Sequence, residues 1–319
     1  MKTGRWLANM VTGAALVALG ACGGGGGDNT PTGPTIAISS LNRDTVAHAT
    51  VAGVWGLTLG ATAPLATGSS GTARSMAAWL QTQSLRVTSA VRREQPMAVI
   101  GPIVEPCQIS GSVSVTWDDA DNNGTLSVGD VLTAVADNCQ DAPGETINGT
   151  MVITAVSMSM GRVAMTQLSF DMPRHAITLN GSVRLEDVSA DTVQTTTEGS
   201  VTLAVTLKHL VPRFSDTVTL QDGFVARETF ANGETVSTVD GLLASAAAGG
   251  VVRLSTPSNA LIRQLATQDY PYTGVLRVQG MSSALQMTVL SAAQVQLDLD
   301  ADGNGTFDST STVPWDWLL

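Results

Sequence analysis

From residue 110 onward, apolar side chains recur at every second position. Val113, Val115 and Trp117 alternate with Ser and Thr, and Ile177, Leu179, Val183 and Leu185 do so across residues 175–186. Val201, Leu203, Val205 and Leu207 repeat the pattern, as do Leu285, Met287 and Val289, then Val295, Leu297 and Leu299. A period of two belongs to strands that bury one face and wet the other, and no helix satisfies it. Val and Thr favour strands, whereas the aromatic share is only 4%. Asn148-Gly149, Asp222-Gly223 and Asn232-Gly233 lie between or beside these runs and read as turns, and one run is centred on Asn180-Gly181. The expected fold class is mainly β: an antiparallel meander closing as a sandwich, a barrel or a curved sheet, with an N-terminal helix.

The helix is expected in residues 72–94, which lack Gly and Pro. There Met76, Leu80, Val87 and Val91 recur at near-helical spacing, with Trp79 and Ala90 beside them. Residues 46–59 are apolar and fit helix or strand equally, and residues 258–265 read as a short helix crossing one end of the β region. Four regions follow: residues 1–21, 22–40, 41–100 (partly helical) and 101–319 (antiparallel β).

Residues 119–130 carry the strongest chemical motif. Asp119, Asp121 and Asn123 fall at positions 1, 3 and 5 of an EF-hand loop, with Gly124 at 6 and the Thr125 carbonyl at 7. Leu126, Ser127 and Asp130 take positions 8, 9 and 12. Calcium wants hard oxygen ligands at flexible distances, and this spacing wraps them around one point. Asp at position 12, in place of Glu, resembles dockerin loops and implies weak binding, in the range of about 10⁻⁴–10⁻³ M. A strand, residues 112–117, precedes the loop, and residues 131–136 read as strand or helix. The motif therefore resembles an EF-hand loop set in a hairpin. A second loop places Asp300, Asp302 and Asn304 at positions 1, 3 and 5, Gly305 at 6, Thr306 at 7, Phe307 at 8 and Asp308 at 9, with Asp298 just before it. Ser311 is a poor position 12. This segment resembles the Asp-x-Asp-x-Asn-Gly calcium turns of bacterial surface proteins. The alternative for both is a polar turn without metal. Trp315, Trp317, Leu318 and Leu319 are expected to dock the C-terminal segment onto the body.

At the other end, Lys2 and Arg5 precede an apolar run, residues 11–20, that is too short to span a bilayer. Leu19-Gly20-Ala21-Cys22 follows and resembles the lipobox of bacterial lipoproteins. The resemblance implies a signal peptide over residues 1–21, lipidation at Cys22 and a membrane partner through that anchor. Gly23 to Gly27 then read as a leash, and residues 22–40 as a tether. The same resemblance, with Gly23 where Asp would imply inner-membrane retention, implies the outer membrane of a Gram-negative cell, on its periplasmic or its outer side. That compartment is oxidising, so Cys107 and Cys139 are expected to form a disulfide bracketing the first acidic loop; buried free thiols are the alternative.

Without Lys2 and Arg5 the chain keeps 14 basic residues against 27 acidic ones, a net charge of about −13, and Lys208 is its one lysine. Such a chain suits neither nucleic acid nor anionic lipid surfaces. His48, His175 and His209 are isolated in sequence, and neither H-E-x-x-H nor G-x-S-x-G occurs. The expectation is a non-enzymatic, lipid-anchored and calcium-stabilised envelope protein with a structural or surface-interaction role. The alternatives are a binding module for a lipid, a glycan or an envelope partner, and, least favoured, a hydrolase using paired carboxylates such as Asp118 and Asp119.

Overall fold

The computed structural model describes residues 32–61, 99–123, 127–157, 160–189, 192–231, 233–265 and 267–319. The signal peptide expected over residues 1–21, Cys22 and the helix expected over residues 72–94 lie outside them. Helix α1 (Arg43–Ala61) is followed by β1 (Val99–Pro106), β2 (Ser110–Asp118), β3 (Val131–Gln140), β4 (Thr146–Ser157) and β5 (Met160–Asp171). Then come β6 (His175–Ser189), β7 (Thr192–Leu207), β8 (Phe214–Leu220), β9 (Val225–Ala231), β10 (Glu234–Ser245) and β11 (Gly250–Ser255). The chain continues through β12 (Ile262–Leu265), β13 (Gly274–Gly280), β14 (Ser283–Ser291), β15 (Gln294–Asp300) and β16 (Ser309–Pro314) to a short helix, α2 (Trp315–Leu318). All sixteen strands belong to one antiparallel sheet in sequential order; β9 and β12 pair beside the main path, on β10. The fold is thus a β meander forming one large sheet.

The ambiguous residues 46–59 are helix. Every residue from Val46 to Val54 is buried, including His48 and Thr50, so α1 is covered on all sides. A helix apolar around its whole circumference belongs inside a core. It packs on β6, β7, β8, β9 and β10, with α2 also against it. Two glycines set the closeness of that approach. A Cβ on Gly53 would stand 2.7 Å from Leu243 Cδ1, and one on Gly56 would stand 2.2 Å from Leu203 Cδ2.

A row of β-bulges bends the sheet. Register shifts fall in adjacent ladders at Ser110/Ser112, Ala136/Cys139, Asn148/Thr150, Met165/Leu168 and Asn180/Ser182. A bulge adds an unpaired residue and increases local twist and bend. The wiring repeats. Asn138, at φ 49°, donates its N–H to Asn148 Oδ1 at 2.7 Å, and Gln167, also at φ 49°, donates its N–H to Asn180 Oδ1 at 2.8 Å. Each Asn is followed by a glycine in the left-handed region, Gly149 at φ 110° and Gly181 at φ 128°. Asn148-Gly149, expected as a turn, is therefore a bulge inside β4. Two bulges also shift the inward phase by one residue. Buried positions run Leu132, Ala134, Ala136 and then Cys139, and likewise Val163, Met165 and then Leu168.

The short helix expected over residues 258–265 is absent. Residues 258 and 259 form a turn and β12 follows, paired to β10 from Glu234↔Leu265 to Ser237↔Ile262. Local helical spacing yields here to a strand that completes its hydrogen bonds on a neighbour. Cys107 and Cys139 are bonded, with Cα atoms 5.4 Å apart, and tie the β1–β2 turn to β3.

The glycine in the first of the two bulged Asn-Gly pairs, Gly149, has no room for a side chain: a Cβ there would stand 2.2 Å from the Gln167 carbonyl oxygen. Gly149→Ala is expected to cost about 2–3 kcal/mol in denaturant unfolding. Gly223→Asn, in an open turn at φ 75°, is expected to cost less than about 1 kcal/mol. Equal losses would show that the bulge row does not depend on Gly149.

Candidate functional site

The first acidic loop joins β2 to β3, and the second joins β15 to β16. Gly124, Thr125 and Leu126 lie outside the described residues, so the position-7 carbonyl of the first loop is not placed. The rest converges. Ligand oxygens of Asp119, Asp121 and Asp130 lie within 4.8 Å of one another, and so do those of Asp300, Asp302 and Asp308. Asp119, Asp130 and Asp300 are buried, while Asp121, Asp302 and Asp308 are exposed.

The two loops share one hydrogen-bond scheme. In the first, Asn123 N–H donates to Asp119 Oδ1 at 3.1 Å and Asp121 Oδ1 at 3.2 Å, and Asn123 Nδ2 donates to Asp121 Oδ2 at 2.7 Å. In the second, Asn304 N–H donates to Asp300 Oδ1 at 3.2 Å and Asp302 Oδ1 at 3.1 Å, and Asn304 Nδ2 donates to Asp302 Oδ2 at 2.9 Å. The residue after the first Asp closes each ring. Ala120 N–H donates to Asp130 Oδ1 at 2.9 Å, and Ala301 N–H donates to Asp308 Oδ2 at 2.7 Å. Asp308 thus holds the place in a nine-residue ring that Asp130 holds in a twelve-residue one. Ser311, the poor position 12, lies on β16 outside the ring. Asp298 sits back on β15, buried, accepting from Gln296 Nε2 and Thr310 Oγ1.

Ser127 donates from its N–H to Asp130 Oδ2 at 2.7 Å and from its Oγ to Asp121 Oδ2 at 3.1 Å. Thr306 donates from N–H and Oγ1 to Asn304 Oδ1. Desolvation works against ionising Asp121, but hydrogen bonds donated by Ser127 and Asn123 help to outweigh it and hold its carboxyl below the usual range. The donor set is hard oxygen, as calcium requires. Asn123 and Asn304 turn their NH₂ groups toward Asp121 and Asp302, so each amide must rotate to offer Oδ1 to a cation. The carboxylate of Asp141 also lies near Cys107 and Cys139, but those sulfurs are bonded to each other, and Asp141 Oδ1 accepts from Gln108 N–H at 3.0 Å.

The three histidines, isolated in sequence, are gathered by the fold. His48 on α1 lies between the rings of Phe214 and Trp317, 4.9 and 4.3 Å from their centroids, with Nδ1 3.4 Å from the Leu318 carbonyl. His209 is within electrostatic reach of both His48 and His175, and Arg174 and Lys208 stand beside His175. Burial is the main cause that lowers the pKa of His48 and His175; His209 adds to both, whereas the Leu318 carbonyl and Asp44 oppose it at His48. The C-terminal segment docks as expected. Trp315 stacks on Tyr270 at 5.6 Å and 6°, Trp55 packs against both, and Asp316 accepts from Tyr270 Oη and Arg174. Burial, then the bond to Asp316, pushes Tyr270 up to about 12.

Sequence reasoning missed Glu228. It sits on β9 between Val193 of β7 and Ser237 of β10, almost wholly buried, and burial pushes its carboxyl up to about 8 against a hydrogen bond from Ser237. Its signal was faint: an acid two residues beyond Ala226 and four beyond Phe224, in phase with an inward face. An open groove of about 540 Å³ is lined by Arg162, Arg184, Glu198 and Asp222, among others. It mixes both charge signs, and Arg162 is paired with Glu198 at 2.6 Å.

Compared with known proteins, the chain matches no protein-family model, no curated protein and no solved structure.

Glu228 and the pair His48 and His175 give opposite pH slopes. Glu228 is protonated in the fold up to about pH 8 but ionises near 4.5 when unfolded, so its stability contribution declines as pH rises between those values. Glu228→Gln is expected to raise stability at pH 8 by a few kcal/mol and to change little at about pH 4. His48 and His175 act the other way. Unfolded histidine takes its proton near 6.5, before the folded groups do, so stability held above that pH falls as pH drops through it. His48→Phe keeps a ring between Phe214 and Trp317 and is expected to flatten the loss between about pH 7.5 and 5.5, read by urea unfolding at each pH.

Proposed function

We propose that this chain is a lipid-anchored, calcium-stabilised β protein of the bacterial envelope, with a structural or surface-interaction role. The observation that supports calcium is the repeated loop: two rings of different length, far apart in sequence, with the same Asp–Asp–Asn hydrogen-bond scheme and their first Asp buried. Burying carboxylates side by side is costly without positive charge nearby, and a divalent cation supplies it. In the bound form Asp119, Asp121 and Asp130 would hold one ion with Ser127 and a rotated Asn123, and Asp300, Asp302 and Asp308 a second with a rotated Asn304. The anchor reading rests on the lipobox at Cys22, and the disulfide suits an oxidising compartment. A binding module that uses the curve of the sheet is less favoured, because α1 occupies the face of β6 to β10.

A thermal and chemical melt with calcium, then with EDTA, tests the proposal. At 10 mM calcium, sites of 10⁻⁴–10⁻³ M affinity should add about 1.5–3 kcal/mol each, since only the folded state binds. Asp119→Ala and Asp300→Ala should each remove part of that gain. Identical melts in calcium and EDTA would reduce both rings to polar turns.

A further inference from the structure

Two arginines stand directly opposite each other on neighbouring strands. Arg162 of β5 pairs in register with Arg184 of β6, and Arg184 pairs in turn with Thr196 of β7. Their strand neighbours Val163 and Val183 are also paired and are buried, so both arginines project from the other face, into the open groove described above. Opposed side chains on one face have Cβ atoms about 5 Å apart, and like charges there repel. Arg162 is answered. Its Nε lies 2.6 Å from Glu198 Oε2 on β7, so its side chain reaches across β6, the strand that carries Arg184. Arg184 is not answered. Its Nε is buried without a hydrogen-bond partner, and among the described residues Arg184 forms no ion pair. Asp222, the other acid of the groove, accepts instead from Gly199 N–H at 2.8 Å. A guanidinium cannot shed its proton in a protein, so the row is one anion short.

We propose that this groove binds a small molecule through a carboxylate group seated on the guanidinium of Arg184. The fork of N–H donors on a guanidinium matches the two oxygens of a carboxylate, and Nε is one tine of that fork. The groove itself favours a single charge. Arg162 and Arg184 balance Glu198 and Asp222, and its other lining residues are uncharged, so a carboxylate unbalances it by one unit and a phosphate dianion by two. A volume of about 540 Å³ suits a small ligand. The acidity of the whole chain excludes extended polyanions, which must meet the whole surface. One carboxylate in the groove answers mainly to the charges within about 8 Å, because those farther off are largely screened at physiological ionic strength. A neutral or cationic ligand would leave Arg184 Nε buried and unpaired. The site is independent of the calcium and anchor readings.

The test is saturation-transfer NMR from the full-length chain in detergent micelles to small probes at constant ionic strength. The probes are acetate, galacturonate and the neutral sugar galactose, with inorganic phosphate as a competitor. One charge-assisted fork implies millimolar affinity, which this method reads. Saturation should pass to galacturonate but not to galactose, and acetate should displace galacturonate better than chloride or phosphate does. The galacturonate signal should fall by more than half in Arg184→Gln and stay unchanged in Arg227→Gln, which removes an arginine of β9 that does not line the groove. A response to galacturonate alone supports a carboxylate carried on a sugar ring, and a response to acetate as well shows that the carboxylate suffices. Transfer to neither acid overturns the proposal, as does equal transfer to galactose or full retention in Arg184→Gln. Stronger displacement by phosphate overturns the choice of carboxylate. Should Arg184→Gln fail to fold, the competition on the unmodified chain still decides, because chloride at equal ionic strength displacing as well as acetate would leave no carboxylate site.

Discussion

Helix α1 has no polar face to give to water, and the rest of the molecule is arranged around that fact. Nine consecutive residues, Val46 to Val54, are buried. Exposing such a segment would cost on the order of 1.5–3 kcal/mol for each larger apolar side chain. A flat sheet covers only one side of a cylinder. Five strands, β6 to β10, pack on it, Gly53 and Gly56 allow close contact, and α2 adds further cover. Loss of any one of these would leave apolar helix surface exposed.

Charge follows a different logic. The described ion pairs lie toward the surface, where each contributes little. The acids that are buried are handled individually. Glu228 stays protonated, Asp298 is held by Gln296 and Thr310, and Asp130 and Asp300 accept backbone N–H groups within tight rings. A strongly acidic chain thus stores its least comfortable charges where backbone donors, a proton or a cation can answer them.

Much of the sheet was legible in the sequence because alternation is a local signal. The runs at 112–117, 175–186, 285–289 and 295–299 lie on strands, as does the run from 200 up to Leu207. Where a bulge shifts the phase, as at Ala136/Cys139 and Met165/Leu168, alternation breaks, and β3 and β5 did not stand out. Asn148-Gly149 carries the residues of a tight turn, and only its partner strand shows that the positive φ serves a bulge. The acidic rings were legible because their donors are close in sequence, including the role of Asp308, though not as the ring's closing residue. The histidine cluster was not, because His48 and Leu318 are 270 positions apart and nothing local couples them.

That separation matters during synthesis. α1 is made early, and part of its cover, Trp315 to Leu319, arrives only after all sixteen strands. Until those residues have left the ribosome, and any translocation pore beyond it, an apolar helix waits with one flank uncovered. A chain cut short before Trp315 would keep all sixteen strands yet display that flank to chaperones and proteases.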